Sequence, residues 1–130
     1  MIKLFDLKVG NIVHIVDRKD KVISKDVVLT FENFLDFNRD SITISGIPIV
    51  DLNTLVSKLG FYIRNSIDLK GRQTVDAALS VDKEDSCYFI FARMENGQCI
   101  ISIEHYKEVV CTAKVKYIHQ VQNIISTIVE

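Results

Sequence analysis

Apolar positions change their spacing several times along this chain, and each change marks an element. Ile12-Val13-His14-Ile15-Val16, Val22-Ile23 and Val27-Val28-Leu29-Thr30-Phe31 are rich in β-branched residues, which favour strands. Ser41-Ile42-Thr43-Ile44-Ser45 alternates polar and apolar, the mark of a half-buried strand. Asp17-Arg18-Lys19-Asp20 and Asn38-Arg39-Asp40 read as turns, and Leu7-Lys8-Val9-Gly10-Asn11 as a lead-in that ends on a Gly-Asn turn. The first 49 residues therefore predict a small, strongly bent antiparallel sheet. A Val-Gly-Asn-Ile-Val opening of this kind is common in SH3-like barrels.

The spacing then becomes helical. Leu52, Leu55, Val56 and Leu59 follow one another at i, i+3, i+4 and i+7 and form one apolar stripe. Asp51 precedes them, and its carboxylate suits the free amides of a first helical turn. Gly60 supplies a left-handed stop, and Phe61 stands where an apolar side chain packs back on the last turn. The stretch from Ile47 to Phe61 thus predicts a strand end, a capped two-turn helix and a new strand beginning at Phe61-Tyr62-Ile63-Arg64. Asp68 to Arg72 reads as a turn, and Asp82 to Ser86 as a charged loop. Thr74 to Val81 is ambiguous, since Val75, Ala78 and Leu79 have helical spacing without caps.

Asn96-Gly97 between two apolar runs is a hairpin signal, because a type I′ turn needs positive φ at both central residues. A two-residue loop there sets Met94 opposite Cys99, Ala92 opposite Ile101, Ile90 opposite Ile103 and Tyr88 opposite His105. That face is apolar and predicts burial. The other face mixes Phe89, Phe91 and Ile100 with Arg93, Ser102 and Glu104, which predicts partial cover. Val109 to Thr112 reads as a third strand. From about Lys114 to Val129 the pattern is helical, with Tyr117, Val121, Ile124, Ile125 and Ile128 on one side and His119, Gln120, Gln122 and Asn123 near the other.

Length and composition narrow the class. At 130 residues, 48% hydrophobic and 25% charged, the chain suits one folded domain with a core of its own. The formal net charge of −1 lacks the basic surplus of a dedicated nucleic-acid binder. Met1 to Asp6 reaches an acid without the apolar core of a signal peptide, and no run approaches membrane-spanning length. Three cysteines, an odd number, suit a reducing compartment. The chain therefore reads as cytoplasmic, with no membrane association.

The residues that carry chemistry are scattered. Cys87, Cys99 and Cys111 lie twelve apart, without the close pair of a structural zinc site. On the hairpin register Cys87 and Cys99 take opposite faces, so the three read as small apolar residues. His14, His105 and His119 sit in apolar or strand-like stretches, and a catalytic histidine needs a carboxylate or nucleophile within reach. Glu104 neighbours His105 on the opposite strand face. The acids Glu32 with Asp36, and Asp82 with Glu84 and Asp85, lack the register of a calcium loop. No catalytic residue, cofactor or metal is assigned. Lys107, Lys114 and Lys116 near Tyr106 and Tyr117, with Lys70 and Arg72, make a modest basic and aromatic set of the kind that suits single-stranded nucleic acid; the plainer reading is a solvated face.

Three segments resemble one group of proteins. Leu7-Lys8-Val9-Gly10-Asn11-Ile12-Val13, the stretch Ile47-Pro48-Ile49 through Leu59-Gly60-Phe61, and Tyr117-Ile118-His119-Gln120-Val121-Gln122-Asn123 are similar, in this order, to small uncharacterised proteins of Bacteroidetes genomes and their prophages. The His-Gln-x-Gln-Asn close is the most specific piece. The chain departs from that group at Val50-Asp51-Leu52-Asn53 and after Asn123. The resemblance implies no activity. It implies a mobile-element origin and draws attention to His119, Gln120 and Asn123, either as a partner-binding cluster or as anchors of the last helix.

The expectation is a single α+β domain over residues 1–130. It has a small bent antiparallel sheet, SH3-like in one form, a short central helix, and a C-terminal helix packed on an antiparallel hairpin sheet. The expected function is a non-enzymatic interaction module working through protein contacts or self-association. Candidate contact residues are Phe89, Phe91 and Ile100 on the hairpin, with His119, Gln120 and Asn123 on the last helix. The alternative is a nucleic-acid-associated accessory protein of a mobile element.

Overall fold

The structure, a computed structural model, describes residues 7–17, 19–33 and 43–129. It is an α+β protein with one three-stranded and one five-stranded antiparallel sheet. Its contacts divide into two compact units, Met1–Pro48 with Tyr117–Asn123, and Ile49–Lys116 with Ile124–Glu130.

The first unit holds β1 (Ile12–Val16), β2 (Val22–Val28) and β3 (Thr43–Ser45), in the order β2-β1-β3. Two register shifts interrupt the β1–β2 ladder, and such irregularities bend a strand pair. Leu7, Val13, Leu29 and Ile44 form its buried cluster, with Ile15 packed against it. The turn after β1 is tied by Asp17, whose Oδ1 accepts from the backbone N–H groups of Lys19 and Lys21. Phe31, expected to continue a strand, instead begins a helical turn at 31–33. Thr30 and Asn33 cap that turn reciprocally: Asn33 Oδ1 accepts from Thr30 N and Thr30 Oγ1 accepts from Asn33 N. The turn expected at Asn38–Asp40, the residues Ser41 and Ile42, and Asp36 lie outside the described residues.

In the second unit α1 (Leu52–Leu59) forms as its sequence dictates. Asp51 Oδ1 accepts from Thr54 N at 3.0 Å. Gly60, at φ 77°, donates to Val56 O, and Phe61 N donates to Leu55 O, so the last carbonyls of the helix are satisfied. Leu55 and Phe61 are buried, and the helix packs against the sheet beside them.

That sheet runs β4 (Tyr62–Ile67), β5 (Gln73–Lys83), β6 (Ser86–Glu95), β7 (Gln98–His105) and β8 (Glu108–Val115) as a meander in sequence order. The β6–β7 hairpin has the expected register, from Met94 opposite Cys99 to Tyr88 opposite His105. Its apolar face is the core: Ile90, Ala92, Cys99, Ile101 and Ile103 are buried. The ambiguous segment Thr74–Val81 is a strand. Ala77 and Ala78 are fully buried between β4 and β6, and this pairing on both sides overrides a short helical period. The charged loop expected at Asp82–Ser86 shrinks to a tight hairpin at Glu84-Asp85.

The last helix, α2 (Ile118–Val129), starts later than its pattern predicts. Lys114 and Val115 instead finish β8. The helix begins in the first unit, and its residues from Ile124 onward belong with the five-stranded sheet.

Candidate interaction face

The two candidate clusters have different fates. The polar residues of α2 are used inside the first unit. Gln120 Oε1 accepts from Tyr117 N at 3.0 Å, which satisfies a free amide at the helix start. Gln122 Oε1 accepts from Ile12 N at 2.7 Å, and its Nε2 donates to Gly10 O. Asn123 Oδ1 accepts from Asn11 Nδ2 at 2.9 Å. Asn11 is only 3% exposed, and its own Oδ1 accepts from Lys8 N at 2.7 Å, which fixes the orientation of its amide. The Gly-Asn opening and the Gln-x-Gln-Asn close are thus one hydrogen-bonded clasp. Ile47 and Pro48 join it: Ile47 O accepts from Ile118 N, and Pro48 bridges to Tyr117.

His119 does not lie on the polar side of α2, as its spacing suggested. It is 2% exposed, between the buried Ile118 and the helix's buried Val121, and its ring stacks on Tyr117 at 5.6 Å. His119, Gln120 and Asn123 are thus all engaged within the first unit.

The hairpin cluster remains accessible. Cross-strand rows place Tyr62, Ala78 and Phe91 side by side, with Ser80 and Phe89 in the next row. Phe89 and Phe91 stack at 6.1 Å. Phe89 is 39% exposed, Phe91 is half-buried and Tyr62 is exposed. Ala78 stands between Tyr62 and Phe91 in its row and is buried. Ile100, also expected on this surface, is 8% exposed. Its row sets it between Arg93 and Lys114, and at this burial it presents little surface to a partner.

One ion pair organises the face. Arg64 donates from Nε and Nη2 to the two carboxylate oxygens of Asp76, at 2.8 and 2.7 Å. The two residues are direct cross-strand partners. The guanidinium also lies 4.2 Å from the centre of the Phe91 ring, a cation–π contact. Hydrogen bonding to Asp76 raises the Arg64 pKa further, so this charge is fixed.

Beside it the sheet parts. β5–β6 pairing stops at Ala77–Ala92, while β5 continues with β4 to Gln73 and β6 continues with β7 to Glu95. A hollow of about 230 Å³ lies there, lined by Thr74, Val75, Asp76, Phe91, Ala92 and Arg93. Arg93 is occupied by Glu95 at 3.3 Å.

The modest basic set is not assembled within this sheet. Lys70 and Arg72 lie on the β4–β5 turn, and Lys107 on the β7–β8 turn at the opposite end of the meander. Arg72 is also tied to Asp68 at 2.8 Å. The cysteines separate as the register requires, with Cys99 on the core face, Cys87 on the other and Cys111 on the exposed edge strand. His14 Nδ1 accepts from Asp26 N. His105 stacks on Tyr88 at 4.3 Å and meets the ring of Tyr106 at 4.1 Å in a tilted contact. Among the described residues, no group of three or more His, Cys, Asp or Glu side chains is arranged to hold a metal ion. No helix among them is long and apolar enough to cross a membrane.

A feature without a clear sequence signal is the β7–β8 turn. Tyr106 and Lys107 hold φ of 53° and 67° where glycine or asparagine is usual. Comparison with known protein families, curated proteins and solved structures finds no match, so the face is read from its own geometry.

Proposed function

We propose that this protein is a non-enzymatic interaction module whose five-stranded sheet makes protein–protein contacts, with a second copy of the chain as partner. The reading is carried by the exposed Tyr62 and Phe89 with the half-buried Phe91, beside a charge-neutral Arg64–Asp76 pair. Aromatic side chains and arginine are the usual energetic centres of protein interfaces. An internally neutralised arginine brings little net charge for phosphate to attract, which favours a protein partner over nucleic acid. The resemblance of the opening, centre and close to prophage proteins is compatible with such an accessory role. Light scattering over a dilution series tests the reading. The expected result is a mass above the 14.8 kDa of one chain that rises with concentration. A mass of one chain at every concentration would overturn it.

A further inference from the structure

The two sheets have four edge strands among the described residues, β2, β3, β4 and β8. Exposed edges pair readily with other chains, and proteins blunt them with bulges, shortness and lysine. Three of the four edges carry such devices. β2 has two register shifts against β1, holds Asp26 at φ 53° and carries Lys25 at mid-strand. β3 is three residues long. β8 has a register shift where Ile103 gives way to Glu104, and it carries Lys114. β4 has none of them. Its six pairs with β5 run without a shift, and it contains neither proline nor lysine. Its one charge, Arg64, is neutralised inside the sheet, and every other residue of the strand is exposed.

β4 also complements itself. Two identical strands meeting antiparallel about a two-fold axis put residue i opposite j and j opposite i. Registers centred on a residue keep corresponding faces of the two sheets on the same side. Centring on Arg64 sets guanidinium directly opposite guanidinium, which is repulsive. Centring on Ile63 or Ser66 leaves Ile67 or Ile63, respectively, without an opposite residue in the strand. Centring on Asn65 pairs Ile63 to Ile67 within the strand: Ile63 faces Ile67 of the second copy, Arg64 faces Ser66 and Asn65 faces itself, while Tyr62 lies opposite Asp68 at the start of the turn. Ile63 and Ile67 are 38% and 72% exposed in the single chain. Val75, directly across from Asn65 on β5, is exposed on the same face, so the pairing gathers apolar groups from both copies.

We infer that two copies of this chain pair antiparallel through β4, centred on Asn65, and join their five-stranded sheets into one. The inference rests on the proposed self-association and names its geometry. The joined sheet sets the two Tyr62–Phe89–Phe91 faces side by side.

Cysteine cross-linking tests it. Asn65→Cys is introduced into a chain carrying Cys87→Ser and Cys111→Ser, and oxidised glutathione is the oxidant. Directly opposed antiparallel residues have Cα separations compatible with a disulfide. The expected result is a covalent dimer on a non-reducing gel, formed about tenfold faster than from Ser80→Cys in the same background. Ile67→Arg is expected to lower the dimer fraction in light scattering. A dimer in solution with no Asn65→Cys cross-link above the Ser80→Cys control overturns the β4 pairing and leaves self-association standing. A single-chain mass at every concentration overturns both.

Discussion

Asn11 Nδ2 donates to Asn123 Oδ1 at 2.9 Å across 112 positions of sequence. This bond closes the clasp between the start of β1 and the middle of α2, and it satisfies the amide of a residue that is almost wholly buried. Asn123→Ala removes the acceptor and leaves a buried donor, a loss of about 1–3 kcal/mol of stability. Urea unfolding of Asn11→Ala, Asn123→Ala and the double variant is expected to show a coupling energy of about 1 kcal/mol. Strictly additive losses would show that the two amides do not act as a pair.

The caps of α1 are separately measurable. Gly60→Ala places a Cβ on a backbone at φ 77° and is expected to cost about 1 kcal/mol. Asp51→Ala removes the acceptor for Thr54 N, at about 1 kcal/mol. Thermal unfolding of the single and double variants checks both, since the two ends of the helix are independent.

The β7–β8 turn holds two non-glycine residues in the left-handed region. Exchanging Tyr106-Lys107 for Asn-Gly relieves that conformation and is expected to raise stability by about 1 kcal/mol. The gain is reduced by the lost ring contact between His105 and Tyr106. A loss of stability on urea unfolding would mean that the ring contact outweighs the backbone strain.

Cys99 is 1% exposed, and burial pushes its thiol up to about 11. The unfolded chain releases this proton from about pH 8.5, whereas the folded chain keeps it to about pH 11. Its contribution to stability is therefore complete below that window and is lost as pH rises through it. At neutral pH a thiol reagent is expected to label the exposed Cys111 first, and Cys99 only on unfolding. Mass spectrometry after brief alkylation reads the order directly.

The features that sequence disclosed are those whose cause is local. Asp51, Gly60 and Phe61 act within one helix, and Asn96-Gly97 sets the register of the strands it joins. What it missed depends on distant neighbours. Thr74–Val81 becomes a strand because β4 and β6 pair on either side, and nothing local could weigh that against its helical spacing. His119 is buried against Tyr117 at the start of α2, although its place on a helical wheel points to the polar side. Ile100 is covered within a row whose members come from three strands. Gln122 and Asn123 find their partners at Gly10, Asn11 and Ile12, and no spacing rule links residues so far apart. The exposed face around Phe89 and Phe91 was legible, because hairpin register assigns faces before any tertiary contact is known.

The central claim is that the five-stranded sheet meets a second copy of this chain along its β4 edge. Amide hydrogen exchange at low and high protein concentration tests it most directly, since edge amides exchange freely unless another strand pairs with them. Peptides covering Tyr62–Ile67 are expected to exchange more slowly at high concentration, while those covering Glu108–Val115 keep one rate at both. Exchange of Tyr62–Ile67 that is the same at both concentrations, with light scattering showing association at the higher one, would contradict the account.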